Sequence, residues 1–171
     1  RLKNKINSGE KIDRKIFEQS LTMITRQVDD IHHLVNEFSS FARMPSPKLK
    51  LINIYNVIVD YIKPLSSSFD NVKIEIDNII ENALIMADEK QIRQACSNLI
   101  KNSYENIILN KISEGKIIIC FGIENDFASI TISDNGTGID KTIISKILEP
   151  YYTTKVGNSG LGLAITKKII D

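Results

Sequence analysis

The sequence predicts an α+β fold in which a helical hairpin precedes an α/β sandwich. Three observations lead there. An apolar helical period runs from Lys11 to Met44 without Gly or Pro, Pro45 and Pro47 interrupt it, and from Ile54 onward helix-spaced and strand-alternating segments follow one another. With 42% hydrophobic and 25% charged residues in 171 positions, the chain can bury a sizeable core and is neither a disordered tail nor a linker.

In the first helical segment Phe17, Leu21, Ile24, Val28, Ile31, Val35, Phe38 and Ala42 are separated by alternating steps of four and three. That is the a/d spacing of a supercoiled seam, so the helix seeks a partner. Arg1 to Ser8 reads as the tail of an earlier helix, with Gly9 supplying the left-handed residue that reverses the chain. One hairpin is too thin to bury a continuous stripe of Phe, Leu and Ile. Two hairpins paired as a four-helix bundle, hence a homodimer, are therefore expected.

Met44-Pro45-Ser46-Pro47 ends the helix because proline lacks an amide donor and restricts the residue before it. This places a domain boundary there: residues 1–44 as dimerisation helices, 45–53 as linker, 54–171 as the second domain. In that domain Ile54 to Lys63 is spaced as a helix, Val72 to Ile76 alternates as a strand, and Leu84 to Ala87 is a short apolar strand. Asp88 caps a helix from Glu89 to Leu109, with Gln91 placed to complete a capping box. Its buried face is expected at Ile92, Ala95, Leu99 and Ser103. Lys116 to Ile123 and Ala128 to Ser133 read as neighbouring antiparallel strands joined by the polar turn Glu124-Asn125-Asp126. Leu161, Ala164, Ile165, Lys168 and Ile169 mark a last amphipathic helix without a stop signal. Arg1 likewise opens inside a pattern, so the chain reads as a piece of a longer protein, truncated at both ends.

Composition excludes several functions. Twenty-two basic against 21 acidic residues leave a net charge of +1, which disfavours nucleic acid as a partner. No stretch approaches the roughly 18 apolar residues of a membrane span, so no membrane contact is expected of this segment. Cys96 and Cys120 lack the paired spacing of a zinc or redox motif and read as reduced core thiols.

Three groups of residues can carry chemistry. Asp134-Asn135-Gly136-Thr137-Gly138 follows a strand directly; its glycines allow close backbone approach to a ligand and Asp134 offers an acceptor, although a tight turn would look the same. Gly157-Asn158-Ser159-Gly160-Leu161-Gly162 opens the last helix, where exposed amides suit phosphate, or else forms an ordinary loop. Asn98 and Asn102, one turn apart, can aim two amide oxygens at one hard cation, or else form a solvated face. Between the glycine clusters, Lys155 of Glu149-Pro150-Tyr151-Tyr152-Thr153-Thr154-Lys155 has the reach to contact a phosphate.

As an ordered set, Asn98-Leu99-Ile100-Lys101-Asn102, Asp134 to Gly138, Glu149 to Lys155 and Gly160-Leu161-Gly162-Leu163-Ala164 resemble the N, G1, F and G2 boxes of sensor histidine kinases, members of the superfamily that includes Hsp90, gyrase and MutL. Upstream, Asn36-Glu37-Phe38-Ser39-Ser40-Phe41-Ala42-Arg43-Met44-Pro45 resembles the second dimerisation helix of nitrogen-regulation kinases of the NtrY type. The resemblance implies a Bergerat/GHKL sandwich, ATP and Mg2+ as cofactors, and phosphoryl transfer to a histidine and then to a response-regulator receiver domain. It implies adenine recognition by Asp134 with Gly136 and Gly138, magnesium held by Asn98 and Asn102, and a lid of Lys155, Gly160 and Gly162 over the phosphates. The family's phosphoacceptor His lies on the first hairpin helix, outside this chain; His32 and His33 on the second do not match it. Ser103 and Glu105 replace the commoner Ala and Lys. The implied setting is the cytoplasmic side of a parent anchored in the bacterial inner membrane. Two alternatives are a non-catalytic dimerisation module that binds a response regulator and an ATPase of the Hsp90 and MutL kind. Against the ATPase stands Asn98, where that branch carries a general-base Glu.

Overall fold

The computed structural model describes residues 14–66, 68–69, 71–77, 80, 83–124, 127–155 and 158–171. Two compact units emerge, Arg1–Met44 with Lys155–Ser159 and Pro45–Thr154 with Gly160–Asp171. The expected first hairpin helix, Gly9, the turn at Asn125 and Asp126, and Gly157 lie outside the described residues.

In the first unit, α1 spans Arg14–Ala42, 29 residues. Its apolar stripe is present as the spacing predicts and remains half exposed, with Ile31 at 57% and Phe38 at 51%. No described helix is long and apolar enough to cross a membrane.

The second unit is a two-layer sandwich. Its elements are β1 (Lys50–Asn53), α2 (Ile54–Leu65), β2 (Val72–Asp77), β3 (Leu84–Ala87), α3 (Glu89–Leu109), β4 (Gly115–Glu124), β5 (Phe127–Asp134) and α4 (Gly162–Ile170). β2, β4 and β5 form one sheet in that order, with β2 parallel and β5 antiparallel to β4. A parallel pair needs a long crossover, and the path through β3 and α3 provides it. β1 pairs antiparallel with β3, Leu51 opposite Met86. Thus the expected linker contains a strand, Lys50–Asn53, whose signal was the alternation Lys48-Leu49-Lys50-Leu51.

Ile117, Ile119 and Phe121 of β4 point to the helical layer, where Ile58 of α2 and Ile100 and Ile107 of α3 meet them. All but Phe121, at 2%, are fully buried. Each such isoleucine contributes about 1.5–3 kcal/mol of transfer free energy. Tyr55 adds an edge-on ring contact to Phe121 at 5.4 Å.

Two expectations for α3 are revised. Asp88 does cap it, accepting from the amides of Lys90 at 2.9 Å and Gln91 at 3.3 Å. Instead of closing a capping box, Gln91 donates its side-chain amide to the Pro45 carbonyl at 3.0 Å. Asp88 takes a third donor, the Lys48 amide at 2.7 Å. That bond, together with those from Gln91 and Lys90, holds its carboxyl below the usual range. The buried face is also turned, to Ala95, Cys96, Ile100, Ser103 and Ile107, with Ile92 and Leu99 half-buried. The reason is that α3 is covered twice, by the sheet on one side and by α4 on the next. Burial pushes the Cys96 thiol up to about 12, as suits an inert core cysteine, whereas Cys120 on the opposite face of β4 is half-buried.

Candidate nucleotide site

Three asparagines, Asn98, Asn102 and Asn106, recur every fourth residue of α3 and so share one stripe about 12 Å long. At its first end, Asn98 donates through Nδ2 to the Gly162 carbonyl at 2.9 Å and to the Thr166 hydroxyl oxygen at 3.4 Å. A carbonyl can only accept, so the Asn98 amide is oriented with its oxygen turned away from α4. This bond ties α3 to the first turn of α4 and half-buries a stripe that polarity alone would leave in water. Thr166 completes the link by donating to the same carbonyl at 3.0 Å.

At the far end of the stripe stands the loop after β5. Strand alternation places Asp134 on the same side of the sheet as Ile130 and Ile132, the side that faces the helices, and pairs it with Ile117 in the ladder. One carboxylate oxygen of Asp134 accepts from the Gly136 amide at 2.9 Å; the other has no partner among the described residues. Asn135 secures the turn to the start of β4. Its oxygen accepts from the Lys116 amide at 2.8 Å and its amide donates to the Glu114 carbonyl at 2.7 Å. Thr137 donates its hydroxyl to Oδ1 of Asn106 at 3.2 Å. Gly138 has φ +73, the left-handed backbone that favours glycine.

Between these ends Asn102 is half-buried, and its side chain has no hydrogen-bond partner among the described residues. The side-chain oxygens of Asn98 and Asn102 are hard donors of the kind a divalent cation would accept. Among the described residues no group of three or more His, Cys, Asp and Glu is arranged to hold a metal.

Gly160 lies against the backbone of the aromatic pair Tyr151 and Tyr152. Its φ is +69, and a β-carbon there would lie 2.6 Å from the Tyr151 carbonyl carbon and 2.7 Å from the Tyr152 oxygen. The same test at Gly162 finds Asn98 at an ordinary 3.7 Å. Lys155 is grouped with the first unit rather than with these residues.

A family model described as histidine kinase-, DNA gyrase B-, and HSP90-like ATPase matches residues 87–171. An NtrY-like sensor histidine kinase of Rickettsia conorii is 36% identical over 162 residues, covering 93% of this chain and 26% of that protein. The nitrogen regulation protein NtrY of Azorhizobium caulinodans is 34% identical over 175 residues, covering 100% and 22%. The chain belongs to the NtrY-type GHKL histidine kinases. It spans about a quarter of the length of these curated relatives. Its fold is also that of histidine kinase ThkA, solved in complex with the response regulator protein TrrA, at TM-score 0.74 and 21% identity over 94% of this chain and 46% of that one.

Within this NtrY-type chain, sequence reading had already singled out Asn98, Asn102, Asp134, Gly136, Gly138, Gly160 and Gly162. It missed Asn106, Thr137 and Thr166. For Asn106 the signal was available, since it continues the four-residue step from Asn98 and Asn102. The two threonines carry no pattern of their own and are found only through their partners.

Proposed function

We propose that the chain is the dimerising and ATP-binding part of a homodimeric sensor histidine kinase, which phosphorylates a histidine from Mg-ATP and passes the phosphoryl group to an aspartate of a response-regulator receiver domain. The observation that carries the reading is the asparagine stripe of α3, which joins the Asp134 turn at one end to the N-terminus of α4 at the other. An adenine at the first end and phosphates at the second are the ligand pieces this layout suits.

In this reading Asp134 accepts from the adenine amino group with its unpartnered oxygen, while Gly136 and Gly138 let the backbone of the turn come close to the base. Amides at the α4 N-terminus face the phosphates with the positive end of the helix dipole, beside Gly160 and Gly162. Asn98 and Asn102 hold magnesium, and Lys155 adds charge from the lid. The metal, when bound, supplies charge neutralisation at the phosphates. On transfer, the bond from the γ-phosphorus to the bridging oxygen breaks, ADP leaves, and a bond to an imidazole nitrogen forms. Catalysis is then mostly positioning and electrostatics. Asn98 offers an amide already engaged with Gly162 and no carboxylate to activate water, which supports transfer to a side chain over ATP hydrolysis.

Residues 1–44 serve in this reading as the dimerisation and phosphotransfer helices and 54–171 as the catalytic domain, on the cytoplasmic side of an anchored parent. ThkA, by its complex with TrrA, gives the response-regulator partner its support.

Titration with a fluorescent ATP analogue tests the base site. Asp134→Asn is expected to weaken binding about tenfold, because an amide cannot offer the paired acceptors of a carboxylate. Unchanged affinity together with an unchanged preference for ATP over GTP removes Asp134 from the site. For the metal, Asn102→Ala is expected to lower magnesium-dependent phosphotransfer in the parent kinase at least about tenfold while unfolding stability stays within about 0.5 kcal/mol. The opposite result, several kcal/mol of lost stability with activity per folded molecule intact, makes Asn102 a packing residue.

A further inference from the structure

Asn106 lies two turns beyond Asn98, and the nucleotide chemistry above makes no use of it. Its side-chain oxygen accepts from Nδ2 of Asn110 at 2.7 Å and from the Thr137 hydroxyl at 3.2 Å. The same Asn110 nitrogen donates to the Asn106 backbone carbonyl at 2.8 Å. The Asn106 amide is thereby fixed, its oxygen facing two donors and its nitrogen facing the Gly136 backbone. A β-carbon on Gly136 would fall 2.4 Å from that nitrogen and 2.8 Å from Oδ1 of Asp134. A side chain on Gly136 would therefore displace the ends of the Asn106 and Asp134 side chains, which flank the one point where it would begin.

The geometry points to Asn106 as a positioning residue of the base site: through Thr137 and Gly136 it locks the turn after β5 onto α3 and so fixes the direction in which Asp134 presents its carboxylate. The inference rests on the reading that Asp134 takes the adenine. Asn106 touches no ligand in this account. It acts through the turn, which among the described residues is otherwise anchored by Asn135 at the sheet side.

The test compares ATP with inorganic tripolyphosphate, each with magnesium, as ligands of the full chain. Asn106→Ala and Thr137→Val are each expected to weaken ATP binding about three- to tenfold and to leave tripolyphosphate binding unchanged, since only the base end is loosened. The double variant should be no weaker than the weaker single one, because a shared bond is lost once. Thr137→Ser keeps the hydroxyl and should bind ATP as the parent does. Thr137 is exposed, so its variants fold whatever Asn106→Ala does. Unchanged ATP affinity in Thr137→Val, equal losses for both ligands, or additive losses in the double variant would overturn the inference. Asp134→Asn separates the two levels. If it leaves ATP binding intact, the adenine reading falls and this inference with it; if it weakens ATP binding while Thr137→Val and Asn106→Ala do not, only the positioning role falls.

Discussion

Replacing Gly160 with Ala is expected to cost about 2–5 kcal/mol of stability and to abolish tight nucleotide binding with it. Two costs combine. The backbone there is at φ +69, and a β-carbon would meet the Tyr151 and Tyr152 backbone at 2.6 to 2.8 Å, where neither neighbour can swing aside as a flexible side chain could. Tyr151 is itself held at φ +67, so the segment has little freedom left with which to yield. Relief requires parting the aromatic pair from the start of α4, the helix whose first turn Asn98 holds. Gly162→Ala is the matched control, because its β-carbon finds Asn98 at an ordinary 3.7 Å. Urea unfolding and ATP-analogue titration of both variants check this. A Gly160→Ala chain as stable as Gly162→Ala would show that the close approach is not a constraint.

Ile31→Glu is expected to convert a dimer into a monomer. Along α1 the side chains of Phe17, Leu21, Ile24, Val28, Ile31, Val35 and Phe38 are all between 44% and 57% exposed, a contiguous stripe of a kind that monomers rarely present to water. Covering one Ile contributes about 1.5–3 kcal/mol per copy, and a two-fold partner doubles the effect of each substitution. A carboxylate in that seam loses the gain and must also be desolvated. Sedimentation of both forms, with and without Mg-ATP, reads the outcome, while the second unit, with its own core, should keep its near-ultraviolet spectrum. A monomeric parent, or a dimer indifferent to the substitution, would show that the stripe packs within its own molecule.

Much of this was legible from residue order. The long helix Glu89–Leu109 and the short apolar strand Leu84–Ala87 fall where capping and an apolar run place them. Less legible was anything decided by a second covering layer. Ile92 and Leu99 fit a helix with one buried side, but α3 has two neighbours, and the asparagines between them become half-buried hydrogen-bonding groups. β1 was hidden because the exposed Leu49, just before it, and Leu51 within it, the residues that make the alternation visible, lie beside prolines that read as linker. The glycine clusters were found, yet sequence treats Gly160 and Gly162 alike. Only the approach of Tyr151 and Tyr152 makes the first indispensable and the second tolerant.

The crossover through α3 has a consequence for cooperativity. β4 lies beside β2 in parallel only after the chain has travelled the length of that helix, and the same helix carries Asn98, Asn102 and Asn106. Pairing β2 with β4 closes the segment that contains α3, so opening of the sheet and loss of the asparagine stripe are expected to occur together in hydrogen exchange. Local opening of the unit therefore cannot spare the ligand-binding groups while sacrificing the sheet: any fluctuation that unravels α3 uncouples both at once.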